Sequence, residues 1–289
     1  MARLLTSGDI RSLSRGLQIT PTKKWGQNFV VDANTVRRIA AAAKLDADDV
    51  VMEVGPGLGS LTLALIEIAR SVIAVEIDPK LALALPTTVA HRAPEEHERL
   101  TVVETDAARI SPEQMPEPPT ALVANLPYNV AVPVVLHALQ IFPTLRKGLV
   151  MVQAEVGDRL TAGPGSKIYG APSVKMAWYA KARRAGSVSP NVFWPIPNVA
   201  SSLVAFERTP EPDADRVEVF GAVDAAFGQR RKMLRQSLKP WAGESVDAVL
   251  DQSGIEPTRR GESLDLAEFI ALADAKAAVG AKDPRPQEA

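Results

Sequence analysis

The sequence predicts an α/β fold with a mainly parallel sheet, followed by a small all-helical domain. Three observations point there. Short β-rich runs alternate with helical patterns between Val50 and Glu207, as expected of parallel strands joined by crossover helices. A glycine-rich turn, Gly55-Pro56-Gly57-Leu58-Gly59, follows the first of those runs. Beyond Thr209-Pro210-Glu211-Pro212 the apolar spacing becomes helical and stays so.

The elements follow in chain order. Residues 1–20 carry short apolar pairs among scattered charges and are expected to be flexible, with no continuous apolar core that would make a secretory leader. Asp32 is a natural N-cap for a helix over Ala33–Lys44, because its carboxylate can accept an otherwise unpaired first-turn N–H. Strands are predicted at Val50–Val54, Ser71–Glu76, Leu100–Glu104, Ala121–Asn125, Gly148–Gln153, Ala182–Val188 and Ser202–Glu207. Helices are predicted at Leu61–Ala69, Lys80–Ala84, Val132–Leu139, Glu155–Leu160 and Val174–Tyr179. Ser111–Thr120, with four prolines, and Gly163-Pro164-Gly165-Ser166 read as loops. In the second domain, Val217–Ser237, Ser245–Gln252 and Asp265–Ala278 are predicted helices; Leu266, Phe269, Ile270 and Ala273 recur at i, i+3, i+4 and i+7. The boundaries are therefore 1–208, 209–279, and a polar, disordered tail over 280–289.

Composition narrows the function classes. The chain has 289 residues, 46% hydrophobic and 23% charged, as in a soluble globular protein. It has no cysteine, and His91, His97 and His137 lack ligand spacing, so no metal is expected. No apolar run approaches the roughly 20 residues needed to span a bilayer, and a cytoplasmic location is expected. Net charge is −1, but it is segregated: residues 1–44 hold eight basic and two acidic side chains, and residues 45–100 hold four and ten. A neutral protein can thus still present a local basic face to phosphates.

The chemistry lies at successive predicted strand ends. The G-x-G-x-G spacing after Glu53 differs from the dinucleotide and P-loop patterns. Glu76 ends the next strand, where a carboxylate can accept both hydroxyls of a ribose. Asp106 follows the third strand, where a carboxylate can accept the amino group of an adenine. Glu53 beside the loop would repel a pyrophosphate but suits an ammonium or sulfonium group. These features together point to S-adenosylmethionine. At the fourth strand end, Asn125-Leu126-Pro127-Tyr128 offers an amide oxygen, a peptide carbonyl and an aromatic ring. That set can hold an amino-bearing base: the oxygens accept its N–H groups and the ring supplies stacking worth roughly 1–3 kcal/mol.

These motifs resemble those of the ribosomal RNA adenine N6-dimethyltransferases, most closely the bacterial 16S (KsgA) type. The resemblance runs from about Lys23 to Ala273. It is carried by Gly26-Gln27-Asn28-Phe29-Val30-Val31-Asp32, Glu53 to Thr62, Glu76, Asp106, Asn125 to Asn129, Gln153-Ala154-Glu155-Val156, Pro164 to Gly170, Phe193-Trp194-Pro195-Ile196-Pro197 through Ser201, and Phe227 to Arg235. It implies a Rossmann-like class I S-adenosylmethionine-dependent methyltransferase fold with a mainly parallel seven-stranded sheet. The implied catalytic residues are Asn125, Leu126, Pro127, Tyr128 and Phe193, with Tyr128 and Phe193 sandwiching the base. The implied cofactor contacts are Gln27, Asn28, Val30, Glu53, Gly55, Gly57, Gly59, Glu76, Ile77, Asp106, Ala107 and Asn125. RNA contacts are expected from Lys23, Lys24, Arg230, Arg231, Lys232 and Arg235, with Lys232, Arg235 and Lys239 along one helix face; Arg37 and Arg38 join the first patch. The implied reaction is four methyl transfers to two adjacent adenines in the 3′-terminal hairpin loop of 16S rRNA, within the 30S subunit or its precursor, by a monomer. Asn198 and Ala200 depart from the family's usual basic and acidic residues, which leaves the RNA contacts of that loop open. A large-subunit (23S) methyltransferase of the resistance type, or a ribosome-assembly factor with secondary catalysis, are the alternatives.

Overall fold

The computed structural model describes residues 2–19, 28–127 and 130–282. In chain order the elements are α1 (Ser7–Gly16), β1 (Phe29–Val30), α2 (Ala33–Ala42), β2 (Val50–Val54), α3 (Thr62–Leu65), β3 (Ser71–Glu76), α4 (Pro79–Arg92), β4 (Leu100–Glu104), β5 (Ala121–Asn125), α5 (Ala131–Ile141), β6 (Lys147–Gln153), α6 (Ala154–Thr161), α7 (Ala171–Tyr179), β7 (Ala180–Val188), β8 (Phe193–Trp194), β9 (Ser201–Arg208), α8 (Arg216–Gly228), α9 (Leu234–Ser237), α10 (Lys239–Ala242), α11 (Val246–Ser253) and α12 (Leu266–Lys282). Chain contacts divide them into two compact units: residues up to Asp158 with Ala180–Arg208, and Arg159–Tyr179 with the segment from Thr209 onward. Thus α7, placed by the sequence in the first domain, groups with the helical unit.

The first unit is built on a seven-stranded sheet ordered β4-β3-β2-β5-β6-β9-β7. Pairings are parallel from β4 to β6, and β9 runs antiparallel to both β6 and β7. The central strands are buried on both faces, which is why they read as near-continuous apolar runs. One core cluster joins Val51, Val72, Ala121, Leu149 and Leu203 of the sheet to Ile10, Val36, Ile39, Leu65 and Leu85 of the helices. The strand order reverses between β2 and β5. The carboxyl ends of those two strands therefore flank the crevice where open α/β sheets place ligands.

Several sequence expectations are corrected. Residues 7–16 are not a flexible lead-in but a helix. Thr6 and Asp9 form its reciprocal capping box, and Asp9 also pairs with Arg92 of α4 at 2.5 Å. α4 does not stop at Ala84; it continues through Pro86 to Arg92. An interior proline costs about 3 kcal/mol, and burial of Leu81, Leu85 and Val89 on one stripe offsets it. Phe29–Val30 and Phe193–Trp194 form a two-stranded antiparallel ribbon too short for alternation to signal. The predicted helix Val217–Ser237 is broken: α8 ends at Gly228 and α9 begins at Leu234. Residues 280–282 belong to α12 rather than to a tail. Among the described residues no helix is long and apolar enough to cross a membrane.

Candidate active site

A cavity of about 230 Å³ opens at the carboxyl edge of the sheet. Its walls come from four strand ends and from the segment before α2: Asn28, Phe29 and Val30; Glu53 to Gly57; Glu76 and Ile77; Asp106 and Ala107; Asn125 and Pro127. The sequence therefore names most of the residues that meet here.

The glycine turn is shaped by sterics. Gly55, Gly57 and Gly59 all have positive φ, a region that costs L side chains strain. At Gly57 a Cβ would also stand 2.8 Å from Cε1 of Phe29. The turn is pinned from the next strand: the Gly57 N–H donates to Glu76 Oε2 at 3.1 Å, while Glu76 Oε1 accepts from Ile77 and Asp78 N–H, each at 2.9 Å. Burial raises the Glu76 carboxyl above the usual carboxylate range, against the pull of those three amides. Asp106 spends Oδ1 on the Ala108 N–H at 2.9 Å, and its Oδ2 lies 4.0 Å from Arg109 Nε. Ile77, half exposed, adds an apolar surface to the same lining.

Asn125 is the decisive side chain. Its Nδ2 donates to the Asn28 carbonyl at 2.9 Å. A carbonyl oxygen can only accept, so the amide atom that faces it must be the NH2 nitrogen, which leaves Oδ1 to accept from a ligand. Asn125 lines the same cavity as Gly55 and Gly57, and the carbonyl of Asn125 approaches Gly55. Leu126 is buried and donates its N–H to the Met151 carbonyl at 3.0 Å, which locks the turn to β6. Pro127 closes the turn by accepting from the Val130 N–H at 3.2 Å.

Of the expected aromatic clamp, Phe193 alone lies among the described residues, and it is not at the cavity. Phe193 is 2% exposed and belongs to the core cluster, so its ring does not line the cavity. Its neighbour Trp194 is only half buried and stacks near Phe29, with ring centroids 6.3 Å apart at 22°. Phe29 does line the cavity. Sequence reasoning overlooked this pair; its signal was the aromatic doublet 193–194 and a phenylalanine directly after Asn28. Tyr128, Asn129, Gln27, Lys23 and Lys24 lie outside the described residues.

Comparison with known proteins gives this arrangement a family. The ribosomal RNA adenine dimethylase family profile matches residues 20–277. The chain belongs to that family. It is 59% identical over 278 residues to ribosomal RNA small subunit methyltransferase A of Thermobifida fusca, covering 94% of this chain and 96% of that one. The protein of the same name from Rhodococcus erythropolis is also 59% identical, over 279 residues, covering 94% and 93%. Among solved structures, a Plasmodium falciparum dimethyladenosine transferase shares the fold, with TM-score 0.73 at 22% identity, covering 85% of this chain and 97% of that one. The 23S rRNA methyltransferase ErmE gives TM-score 0.63 at 27% identity, covering 86% and 99%.

The family is one of S-adenosylmethionine-dependent methyltransferases, and the cavity fits that cofactor. Among the described residues the lining holds three carboxyls and no lysine or arginine, which suits a sulfonium and an ammonium better than a pyrophosphate. Glu76 would hold the ribose hydroxyls, Asp106 the adenine amino group, and Ile77 and Ala107 the faces of the ring.

In the helical unit the predicted basic stripe is dismantled. Arg230 is turned inward: its Nε bonds Glu262 at 3.0 Å and its Nη2 bonds the Lys167 carbonyl at 2.6 Å. Arg235 pairs with Asp247 at 2.7 Å. Arg231, Lys232 and Lys239 are exposed, but the break after Gly228 takes Lys232 and Lys239 off any common helix.

Proposed function

We propose that this chain methylates N6 of adenines in small-subunit ribosomal RNA. Four transfers to two adjacent adenines of the 3′-terminal hairpin loop, made by a monomer on the 30S subunit or its precursor, is the specific form of that reading. The observation that carries it is the Asn125 carboxamide, tethered through Nδ2 and with no bond to Oδ1 among the described residues, in one cavity with the glycine turn.

An exocyclic adenine nitrogen is a poor nucleophile because its lone pair is delocalised into the ring. Asn125 Oδ1 accepts one N6–H and the Leu126 carbonyl accepts the other, which returns electron density to nitrogen. When bound, the cofactor supplies a methyl group on a positively charged sulfur. The residues of this chain contribute alignment, and a well-aligned pair gains roughly 7–11 kcal/mol over free encounter. A loop adenine is already partly unstacked, so bringing it into the cavity costs less than extruding it from a duplex. Exposed Ile196 and Val199, beside Trp194, give the loop an apolar edge for that base or its neighbour.

The test is transfer of labelled methyl from S-adenosylmethionine to unmethylated 30S and to 50S subunits, followed by mapping of the labelled nucleotides. Label confined to 30S adenines is expected, and Asn125→Ala is expected to lower turnover by roughly 100-fold or more while particle binding persists. Label on 50S would establish the large-subunit reading. A wild type that bound 30S precursors without transferring methyl would establish the assembly-factor reading.

A further inference from the structure

Of the three acids lining the cavity, one has no use for its charge. Glu76 is supplied with three backbone N–H donors. Asp106 is open to solvent, with a side chain 44% exposed. Glu53, at the end of β2, is 1% exposed, and its Oε2 has no hydrogen-bond partner. Among the described residues its surroundings offer no cation. Ala74 stands beside it on β3 and Val123 on β5. Asn125, Asn28 and Leu81 line the same cavity, and Glu76 is the charged neighbour. The hydroxyl of Ser60, also buried and lining the cavity, is likewise without a partner. Thr62 eases the ionisation of Glu53 in part but makes no hydrogen bond to Oε2. An ionised carboxylate removed from water with one oxygen lacking a donor and with no counter-ion costs several kcal/mol, and such a group keeps its proton instead. In accord with this, burial first, and then the charge of Glu76, push the Glu53 carboxyl up to about 8.

We propose that Glu53 distinguishes the cationic cofactor from its neutral, demethylated product by losing its proton to solvent when positive charge enters the cavity and keeping it when a neutral sulfur does. The proposal rests on the cofactor reading of this cavity. Its consequence is directional. The sulfonium, or the amine that takes its place in sinefungin, meets the ionised carboxylate and is held by it; the α-ammonium is common to cofactor and product and does not distinguish them. Once the methyl has left, the sulfur is uncharged, the carboxylate has lost its counter-ion, and a proton returns from solvent. The product is then held by a neutral group, which favours its departure over the cofactor's.

Calorimetry of ligand binding to the whole protein at pH 7.0, in two buffers of different ionisation enthalpy, reads the protons exchanged. S-adenosylmethionine and sinefungin, which carries an amine where the cofactor carries its methyl, are expected to release roughly half to one proton each. S-adenosylhomocysteine is expected to release almost none. In Glu53→Gln, a neutral variant that mimics the protonated form, the release should vanish. The affinity preference for cofactor over product should fall about tenfold, the factor one pKa unit represents. Equal release by all three ligands, or release that persists in the variant, would overturn the proposal while leaving the cofactor reading intact. Failure of all three ligands to bind the wild type would overturn both.

Discussion

The side chain of Phe193 shows how position outweighs residue type. A phenylalanine among prolines can plug a core or clamp a ligand, and both uses need the same ring. Here the ring is inside, paired through the backbone with Val30. Phe193→Ala is therefore expected to cost about 3–5 kcal/mol of stability, as for other buried aromatics truncated to alanine, read as a lowered denaturation midpoint. If the variant instead kept its stability and lost only turnover, the ring would be a base-stacking group that swings out of the core. Asn125 lines the cavity at the strand end where the sequence puts it, and the role proposed for it rests on the chemistry of an amide there. Its contact with Asn28 was beyond reach of the sequence, because it joins residues 97 apart in the chain.

At the scale of elements, α1 is the clearest case of structure that local reading missed. Ten residues are too few for an isolated helix to persist in water. What holds α1 is its capping box together with Ile10, fully buried against the core, and the Asp9–Arg92 pair. The Thr6 backbone amide, aided by the Thr6 hydroxyl and Arg92, brings the Asp9 carboxyl down to about 2. A folded-state pKa below the unfolded value means the stabilisation is fully present above about pH 4 and lost as pH falls toward 2. Amide hydrogen exchange should accordingly show α1 protected at neutral pH and opening between pH 4 and 2. In Asp9→Asn the same opening should appear already at pH 7. Protection of α1 that was indifferent to both changes would assign its anchoring to Ile10 alone.

At the scale of the molecule, each unit spends its cations differently from what their order in the chain suggests. In the helical unit Arg230 is a brace between Glu262 and the Lys167 carbonyl, whereas Arg231 and Lys232 face solvent. Replacing Arg231 and Lys232 with alanine should leave the melting temperature within a degree or two. It should also reduce the salt dependence of 30S binding by roughly two counterions. Arg230→Ala should do the reverse: lower the stability of the unit by about 1–2 kcal/mol with an unchanged salt slope. A steep fall in salt slope with Arg230→Ala would make it an RNA contact despite its partners.

Four parallel strands, and the polar residues at their ends, were determined by sequence alone. Buried strands must be apolar, and the residues at their ends must carry the polar groups a ligand needs, so both features sit in short contiguous runs. Val50–Val54, Ser71–Glu76 and Ala121–Asn125 were legible to the residue in this way, and so, although half exposed at the sheet edge, was Leu100–Glu104. Only the tertiary structure decided that Phe193 lies in the core, that Phe29 and Trp194 pair beside the cavity, that α4 runs through a proline, and that the basic run 230–235 is divided between a brace and a surface. Each of those depends on a partner far along the chain, and the free energy of such a contact is written in neither residue separately.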